Sequence, residues 1–335
     1  MRAPSNIAFV KYWGKHGRQY PINPSVSMTL EECVTECRVD YHYGASSFCL
    51  DAYKFDGRDN EAFRARFEKY FQGIADVFPL INKLNLSIES RNTFPHSAGI
   101  ASSASAFAAL GTALAELQAI VDGKDKFLET TASQLARLGS GSACRSITGP
   151  YMMWGACDEA GSTDENAIAL TDVHHDFAAM KDCVLLIDTA PKAVSSSQGH
   201  TLMEAHPFRT SRIQQAKDHT HLLIKAMREG DMEQFGHVVE NEALTLHALM
   251  MSSSEPFVLL EDNSLKVVEK IRDIRKTEHL PVYFTIDAGP NIHLIYPEAY
   301  ADKVEAFVEA ELLSLCEDGK HIKDRCGRGV HVSRD

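Results

Sequence analysis

The residues from Asn92 to Leu117 read NTFPHSAGIASSASAFAALGTALAEL and combine small side chains with an apolar segment. The small and turn-forming positions are Pro95, Ser97, Ala98, Gly99, Ala101, Ser102, Ser103 and Ala104. Such residues let a backbone approach a ligand closely, and Phe107 to Leu117 has helical periodicity. The free N–H groups of a helix start favour phosphate, although a small-residue loop before a core helix is an equally good interpretation. The stretch matches neither a Walker A loop nor a GxGxxG fingerprint.

Two lysines and two aromatic side chains surround one glycine in the segment Lys11, Tyr12, Trp13, Gly14 and Lys15. The apolar residues before it predict a buried strand, and Gly14 permits a turn that brings Lys15 back toward the same site. In isolation, a strand end whose lysines extend toward solvent is the better interpretation.

A second group of small residues and hydroxyls, GSGSACRS, occupies positions 139 to 146 and contains Arg145. Glycines allow close backbone approach, serines donate hydrogen bonds, and an arginine can bind a carboxylate or phosphate through two of them. A predicted helix precedes the group and the apolar segment Tyr151 to Trp154 follows it. These flanking elements favour a binding site over a flexible linker.

Asp287 directly follows the apolar segment Val282 to Ile286, which predicts a strand, and precedes Ala-Gly-Pro-Asn. An aspartate before Gly-Pro is ordinarily a turn former, and that interpretation is the better one in isolation. A carboxylate at the end of a rigid strand would also be well placed for catalysis.

Apolar periodicities predict the elements that must position these groups. Helices are predicted at 61–74, 107–117, 127–137, 211–230, 231–251, 264–277 and 300–315. Strands are predicted at 6–10, 26–30, 37–43, 48–50, 84–88, 151–154, 184–187, 282–286 and 293–296. The polar segment 192–200, KAVSSSQGH, predicts a loop, and no element is assigned to the basic tail 320–334. The strand ending at 88 gives the order strand, small-residue loop, helix that an anion-binding loop requires.

The composition, 44% hydrophobic and 24% charged over 335 residues, is that of a soluble globular protein. A shift in composition near residues 171–181 favours two domains, 1–180 and 181–335. The net charge of −12 and the lack of a dense basic patch argue against nucleic acid. An acidic protein that binds phosphates must concentrate its cations and is expected to use a divalent metal.

Several other patterns are informative by what they lack. Eight scattered cysteines without a CxxC pair argue against a disulfide framework or a structural zinc site. No apolar run approaches the roughly 20 residues of a membrane helix, and the start does not resemble a signal peptide. We therefore expect a cytosolic protein without a membrane partner. His237 and His247 lack metal-ligand spacing and are expected to pack or to lie at the surface.

Taken together, six segments resemble the mevalonate diphosphate decarboxylases of the GHMP kinase superfamily. They are APSNIAFVKYWGK (3–15), PINPSVSMTL (21–30), NTFPHSAGIASSASAFAAL (92–110), GSGSACRS (139–146), VSSSQG (194–199) and FTIDAGPN (284–291). The segments occur in family order and span nearly the whole chain. KYWGK, GSGSACR and DAGPN are specific to this family, whereas the small-residue stretch is shared with kinases of the superfamily.

The resemblance implies an α+β, two-domain GHMP-kinase fold with the active site between the domains. The N-terminal domain would carry a left-handed βαβ unit and the phosphate loop, and a ferredoxin-like C-terminal domain would carry the catalytic aspartate. It also implies ATP-dependent decarboxylation of mevalonate 5-diphosphate to isopentenyl diphosphate in the mevalonate pathway. ATP and Mg²⁺ are the implied cofactors, and a homodimer is expected.

The same resemblance implies catalytic roles for Asp287, Lys11 and Arg145. Asp287 would orient or deprotonate the 3-hydroxyl, and Lys11 would keep Asp287 ionised and neutralise charge in the transition state. Arg145, steadied by Asn6, would hold the substrate carboxylate. The implied substrate-binding residues are Asn6, Tyr12, Trp13, Gly14, Lys15, Ser140, Gly141, Ser142, Ala143, Cys144 and Ser197.

The implied ATP-binding residues are Pro95, Ser97, Ala98, Gly99, Ala101, Ser102 and Ser103. Either Ser102 or Ser103 is the expected magnesium ligand. A further arginine on a helix is expected at the diphosphate, and Arg58, Arg64 and Arg66 are equal candidates. Pro24, His96, Leu138 and Pro150 depart from the family pattern, which could alter nucleotide or phosphate preference.

There are three alternatives to this functional interpretation. A kinase that only phosphorylates a mevalonate is disfavoured because Lys11 and Asp287 are both retained. A decarboxylase that acts on the 5-monophosphate differs by one phosphate and stays open. A catalytically silent metabolite-binding homologue is disfavoured by the intact catalytic positions.

Overall fold

The structure is a computed structural model that describes residues 1–95, 100–190 and 196–334, without the side chains of residues 196–198. The strands are β1 (Arg2–Val10), β2 (Lys15–His16), β3 (Tyr20–Pro21), β4 (Ser25–Tyr43), β5 (Cys49–Phe55), β6 (Arg58–Asp59), β7 (Leu84–Asn92), β8 (Tyr151–Trp154), β9 (Ile168–Ala169), β10 (Met180–Leu185), β11 (Tyr283–Ile286), β12 (Ile292–Pro297) and β13 (His321–Arg325). The helices are α1 (Glu61–Gly73), α2 (Ser102–Val121), α3 (Glu129–Gly139), α4 (Ser196–Leu202), α5 (Arg209–Glu229), α6 (Met232–Met251), α7 (Asp262–Glu278) and α8 (Ala301–Phe307).

The N-terminal half is built on a seven-stranded sheet in the order β6-β5-β7-β4-β8-β9, with β1 also paired to β4. The β5–β7 pair is parallel and α1 connects its strands, which makes a βαβ unit. Strand β4 is one 19-residue element, so the expectation of two separate strands was wrong. Glu31 and Glu32 interrupt the apolar pattern, but Cys33 and Val34 are buried and Val34 and Thr35 stay paired with β1.

The C-terminal half carries a four-stranded antiparallel sheet in the order β11-β12-β10-β13. In order along the chain these strands are 2-3-1-4, with helices between the first and second and between the third and fourth. This arrangement is the ferredoxin-like motif, so the expected C-terminal architecture is confirmed. The tail that the sequence left unassigned supplies β13, the edge strand beside β10.

A continuous apolar core joins the two sheets. Phe9 of β1 and Met28 of β4 belong to the same buried cluster as Val184 of β10 and Phe235 of α6. The chain end returns to the N-terminal sheet, where His331 and Arg2 exchange backbone hydrogen bonds of 2.8 and 2.9 Å. The two halves of the chain are therefore packed against each other through one core.

Helix α2 is long and apolar enough to cross a membrane by length and composition, contrary to the expectation that no segment would be. Of its 18-residue apolar window, 78% is buried inside the protein. The helix is therefore a core helix, packed beside α3.

Two further expectations need correction. The predicted loop 192–200 contains the start of α4, which includes His200, while residues 191–195 lie outside the described residues. The predicted helix 300–315 is α-helical only over α8 and continues as π-helical Val308–Leu312 and a 3₁₀ turn. His237 is exposed and His247 is buried in packing contacts, as expected.

Candidate active site

A polar cleft opens where β1 and β11 end, beside the N-terminus of α2. Of the residues singled out in the sequence, those lining the cleft are Asn6, Lys11, Tyr12, Trp13, Lys15, Ala101, Ser103, Ser140, Gly141, Ser142, Arg145 and Asp287. They come from segments up to 281 positions apart (287 − 6 = 281), yet the fold brings them into one cavity. The cleft also contains Arg66, one of the three candidate arginines, together with His200 and Gln19, which the sequence did not indicate.

Lys11 and Asp287 form an ion pair at the floor of the cleft. The Lys11 ammonium lies 2.6 Å from Asp287 Oδ1, and the lysine side chain is 2% exposed against 25% for the aspartate. Burial lowers the pKa of Lys11, while the charge of Asp287 opposes that shift. His247 Nε2 donates to the backbone oxygen of Asp287 at 3.1 Å and so fixes the turn after β11. The carboxylate is thus the more accessible member of the pair.

Arg145 lies in a buried 3₁₀ segment, Gly141–Ser146, that follows α3. Its Nη2 donates to Asn6 Oδ1 at 3.3 Å, and Asn6 Nδ2 donates in turn to Ser146 Oγ at 2.8 Å. Among the described residues, Arg145 Nε and Nη1 have no hydrogen-bond partner although both are buried. A buried guanidinium with unsatisfied donors requires an anion or water, and a carboxylate matches its geometry.

A second group of cations lies elsewhere in the cleft. Burial lowers the pKa of Lys15, and the nearby guanidinium of Arg66 lowers it further. Arg66 projects from α1 with its guanidinium 5.0 Å from the centre of the Phe107 ring, and burial lowers its pKa as well. Neither side chain forms a salt bridge within the residues that the structure describes. Two close cations without a carboxylate are suited to a multiply charged anion.

The structure separates the three candidate arginines. Arg66 lines the cleft. Arg64 instead binds Glu68 at 3.1 Å and donates to the backbone oxygen of Leu50 at 2.8 Å. Arg58 is exposed in the edge strand β6.

The N-terminus of α2 borders the cleft next to the 3₁₀ segment. Ala101 at the N-cap has φ +47° and provides no side-chain cap, and Ser103 Oγ lies 3.3 Å from Ser140 Oγ. Three of the implied ATP-binding residues, Ser97, Ala98 and Gly99, lie outside the described residues, as does His96. Ser197 is in α4, and its side chain is not described. The described part therefore offers the helix start and the hydroxyls of a phosphate site.

Five predicted positions do not line the cleft directly: Pro95, Ser102, Gly14, Ala143 and Cys144. Gly14 has φ +92°, and a β-carbon there would come within 2.3 Å of Ile22. Cys144 is buried and its thiol donates to the backbone oxygen of Gly141 at 3.0 Å. A β-carbon on Gly141 would come 2.6 Å from the Tyr12 hydroxyl, so glycine lets the 3₁₀ segment approach that ring.

A buried charge network holds the backbone of Lys11. Glu242 Oε2 accepts the Lys11 N–H at 2.8 Å, and both Glu242 oxygens accept from Arg212 at 2.6 Å. His219 Nδ1 donates to Glu242 Oε1 at 2.6 Å, and Arg212 also donates to the Lys11 backbone oxygen at 3.1 Å. No sequence pattern indicated this network, because its members are a single acid, arginine and histidine on two ordinary amphipathic helices.

His200 was also missed. It directly follows the segment VSSSQG, and that position was the one signal available. In the structure it is 9% exposed, and its ring centre lies 4.4 Å from that of Tyr12 and 5.0 Å from that of Trp13.

Two family models match the chain. A diphosphomevalonate decarboxylase-like N-terminal domain matches residues 3–169, and a mevalonate 5-diphosphate decarboxylase C-terminal domain matches residues 183–331. The diphosphomevalonate decarboxylase of Candida albicans is 30% identical over 315 residues, covering 90% of this chain and 85% of the relative. The chain belongs to the mevalonate diphosphate decarboxylase family. The division at residue 180 falls between the two matched ranges and stays a prediction.

Other members of the family agree over nearly the whole length. The diphosphomevalonate decarboxylase of Saccharomyces cerevisiae is 30% identical, covering 91% of this chain and 79% of the relative. The crystal structure of mevalonate diphosphate decarboxylase from Staphylococcus aureus superposes with a TM-score of 0.85 at 28% identity, covering 99% and 97% of the two chains. A structure of the protein MDDEF in complex with MVAPP, AMPPCP and magnesium has a TM-score of 0.82 at 28% identity, covering 98% and 96%.

Two departures from the family pattern lie near the cleft but do not line it. Leu138 packs against the N-terminal core. The preceding Arg137 donates hydrogen bonds to the backbone oxygen and the carboxylate of Glu165 at 2.7 and 2.9 Å. Pro24 lies beside Asn23, whose side chain donates to the Lys11 backbone oxygen at 3.0 Å. His96 lies outside the described residues.

Proposed function

We propose that this chain catalyses the ATP-dependent decarboxylation of mevalonate 5-diphosphate to isopentenyl diphosphate, ADP, phosphate and carbon dioxide. Membership in the family and the ligands of the MDDEF complex support this activity. The observation that carries the proposal is one cleft with three separated groups. The accessible carboxylate of Asp287, paired with Lys11, suits the hydroxyl of the substrate. Arg145, which is buried with free donors, suits the carboxylate, and the unneutralised cations Lys15 and Arg66 suit the diphosphate.

The described residues fit ATP and magnesium. The start of α2 has no side-chain cap and presents Ala101 and Ser103 to the cleft, as an anion site requires. When bound, ATP would supply the phosphoryl group for the tertiary 3-hydroxyl, and magnesium would compensate the charge of the phosphates. The Ser102 or Ser103 hydroxyl would serve as the protein ligand of the metal.

Asp287 would act on the 3-hydroxyl, which is a poor leaving group until it is phosphorylated. The carboxylate orients that hydroxyl and takes its proton, while the Lys11 ammonium at 2.6 Å compensates the developing negative charge. When the phosphorylated carbon–oxygen bond breaks, phosphate leaves with the electron pair. The electrons of the bond to the carboxylate then form the alkene, and carbon dioxide is released. Arg145 keeps the carboxylate in place for this step.

The activity is tested by supplying ATP, magnesium and mevalonate that carries zero, one or two 5-phosphates. ADP and carbon dioxide are measured separately. We expect both products in a ratio of one to one with the diphosphate. Production of ADP without carbon dioxide would make the protein a kinase, and turnover of the monophosphate alone would identify the other decarboxylase. Binding without either product would indicate the silent homologue.

We propose that Arg66 is the helix-borne arginine of the diphosphate site. Arg66→Gln is expected to raise the KM for mevalonate 5-diphosphate roughly 10- to 100-fold, because it removes one charge-assisted hydrogen-bonding group. The KM for ATP is expected to change much less. Arg58→Gln is the matched control, since Arg58 is exposed outside the cleft. An unchanged substrate KM in Arg66→Gln would remove this residue from the site.

The expectations of a cytosolic location, a homodimer and no membrane or nucleic-acid partner belong to the same proposal. Gel filtration with light scattering tests the homodimer, and a monomeric mass at assay concentration would contradict it.

A further inference from the structure

His200 occupies an enclosed position between the two aromatic side chains that follow Lys11. It is held between the Tyr12 and Trp13 rings, and it lines the cleft on the side where Lys15 contributes its charge. A β-carbon on Gly199 would come 2.3 Å from the Trp13 ring, so this part of α4 is packed tightly against the indole. The imidazole is therefore packed against both aromatic rings.

One hydrogen bond determines which ring nitrogen carries the proton. The backbone N–H of Gly14 donates to His200 Nδ1 at 2.9 Å. Because a backbone N–H can only donate, Nδ1 must be the unprotonated acceptor, and Nε2 carries the hydrogen of the neutral ring. Among the described residues, no group pairs with Nε2. The ring thus retains one donor for a ligand of the cleft that this residue lines.

The surroundings keep His200 neutral in the free protein. Burial, then the charges of Lys15 and Arg145, lower the pKa of His200 to about 3. A neutral donor among cations binds an anion without adding to the repulsion between Lys15 and Arg66. A lysine or arginine at the same position would instead increase that repulsion.

We propose that His200 donates a hydrogen bond from Nε2 to the diphosphate of the substrate and is a binding residue of this site. This inference rests on the proposed function. The ligand is a diphosphate because Lys15, whose charge acts on the ring, and its neighbour Arg66 have no protein carboxylate to neutralise them within the described residues. The Gly14 turn gives the imidazole its orientation, so the turn and the donor act together.

The test compares two substitutions by isothermal titration with inorganic pyrophosphate and by KM for mevalonate 5-diphosphate. His200→Phe keeps an aromatic ring between Tyr12 and Trp13 but removes the donor and the acceptor. His200→Gln retains an oxygen for Gly14 and an N–H for the cleft. We expect His200→Phe to weaken pyrophosphate binding roughly 10- to 100-fold and His200→Gln to stay within about threefold of the wild type.

Two further measurements separate binding from a structural role. Loss of the Gly14 contact alone would lower thermal stability and would raise the KM values for ATP and mevalonate diphosphate together, whereas we expect the KM for ATP to stay within about threefold. In ¹⁵N-histidine spectra, we expect the His200 Nε2 proton to shift when pyrophosphate is added and Nδ1 to stay unprotonated. His206→Phe is the control, because His206 is buried near α6, where its Nε2 donates to the Leu249 backbone oxygen at 3.0 Å.

Pyrophosphate affinity in His200→Phe equal to that of the wild type would overturn the proposal, and so would a His200→Gln variant as weak as His200→Phe. A wild-type protein that binds pyrophosphate but does not decarboxylate mevalonate diphosphate would instead refute the proposed function. The pyrophosphate measurements would still decide the role of His200 in that case.

Discussion

Replacing Asp287 with asparagine is expected to lower turnover by at least about a hundredfold while substrate binding persists, because the amide cannot accept the hydroxyl proton. ADP and carbon dioxide should fall together, since the proton is removed in the phosphorylation step that precedes decarboxylation. The measurement is kcat and KM from both products, with substrate binding followed by titration. Asp76→Asn is the control, because Asp76 is an exposed acid paired with Arg18 at 2.7 Å outside the cleft.

The Asp287 substitution also changes its partner. The charge of Asp287 raises the pKa of Lys11 against the effect of burial, so its loss lowers that pKa further and favours the uncharged lysine. The ion pair should therefore behave as a unit, and Asp287→Asn with Lys11→Met should cost little more activity than Asp287→Asn alone. Additive losses would contradict a shared role, and near-normal turnover of Asp287→Asn would remove Asp287 from the mechanism.

Local patterns in the sequence predicted where Lys11, Asp287 and Arg145 lie along their elements. Lys11 and Asp287 each follow an apolar run, and a strand end was the natural position for both. Arg145 is one residue in a segment of glycines and serines, a composition that favours ligand contact. The residues immediately before and after each of these three predicted its place on an element, whereas its role in a common site came from the family resemblance of segments spread over the chain.

The choice among Arg58, Arg64 and Arg66 could not be made from the sequence. Arg64 has Phe67 three positions later in α1, and Arg66 has Phe63 and Tyr70 three and four positions away. Both arginines therefore have an aromatic neighbour at helical spacing, and periodicity alone does not select one of them. Arg66 lines the cleft and packs over the ring of Phe107, a residue of α2 that is 41 positions later (107 − 66 = 41). Only the packing of one helix against another supplies that information.

His200 was missed for a related reason. The polar residues around it predict a loop, and a histidine in a polar loop is ordinarily solvated. The backbone N–H of Gly14 and the rings of Tyr12 and Trp13 give it a buried position, and all three are more than 185 residues away along the chain. Tertiary contacts thus override a local pattern that was itself ambiguous.

Glu242 is the buried charge whose loss should most affect stability. Its side chain is fully buried, and Arg212, which is 2% exposed, binds both of its oxygens at 2.6 Å. Glu242→Gln would leave the guanidinium without a compensating charge, which for buried pairs costs about 3–5 kcal/mol. We expect a decrease of that size in the free energy of unfolding, measured by urea denaturation at pH 7.

Glu240→Gln is a matched control two positions earlier in the same helix. Glu240 also binds an arginine through two hydrogen bonds, of 2.6 and 2.9 Å, but its partner Arg275 is 28% exposed. Water can replace the lost partner there, so the decrease should be clearly smaller. Equal decreases in the two variants would show that burial of the Arg212 pair is not the cause.

The pH dependence of stability provides a second test of the same pair. Burial alone would raise the pKa of Glu242, but the charge of Arg212 and the hydrogen bonds from His219, Arg212 and the Lys11 backbone lower it to about 2, below its ordinary 4.5. A carboxyl group with a lowered pKa contributes stability that is fully present above the unfolded value and is lost as the pH falls through the folded value. The wild type should therefore lose the Glu242 contribution between pH 4.5 and pH 2, and Glu242→Gln should lack that part of the slope. If both proteins lose stability equally across this window, the ionised form of Glu242 does not stabilise the fold, and the network around the Lys11 backbone would have to be held by neutral hydrogen bonds.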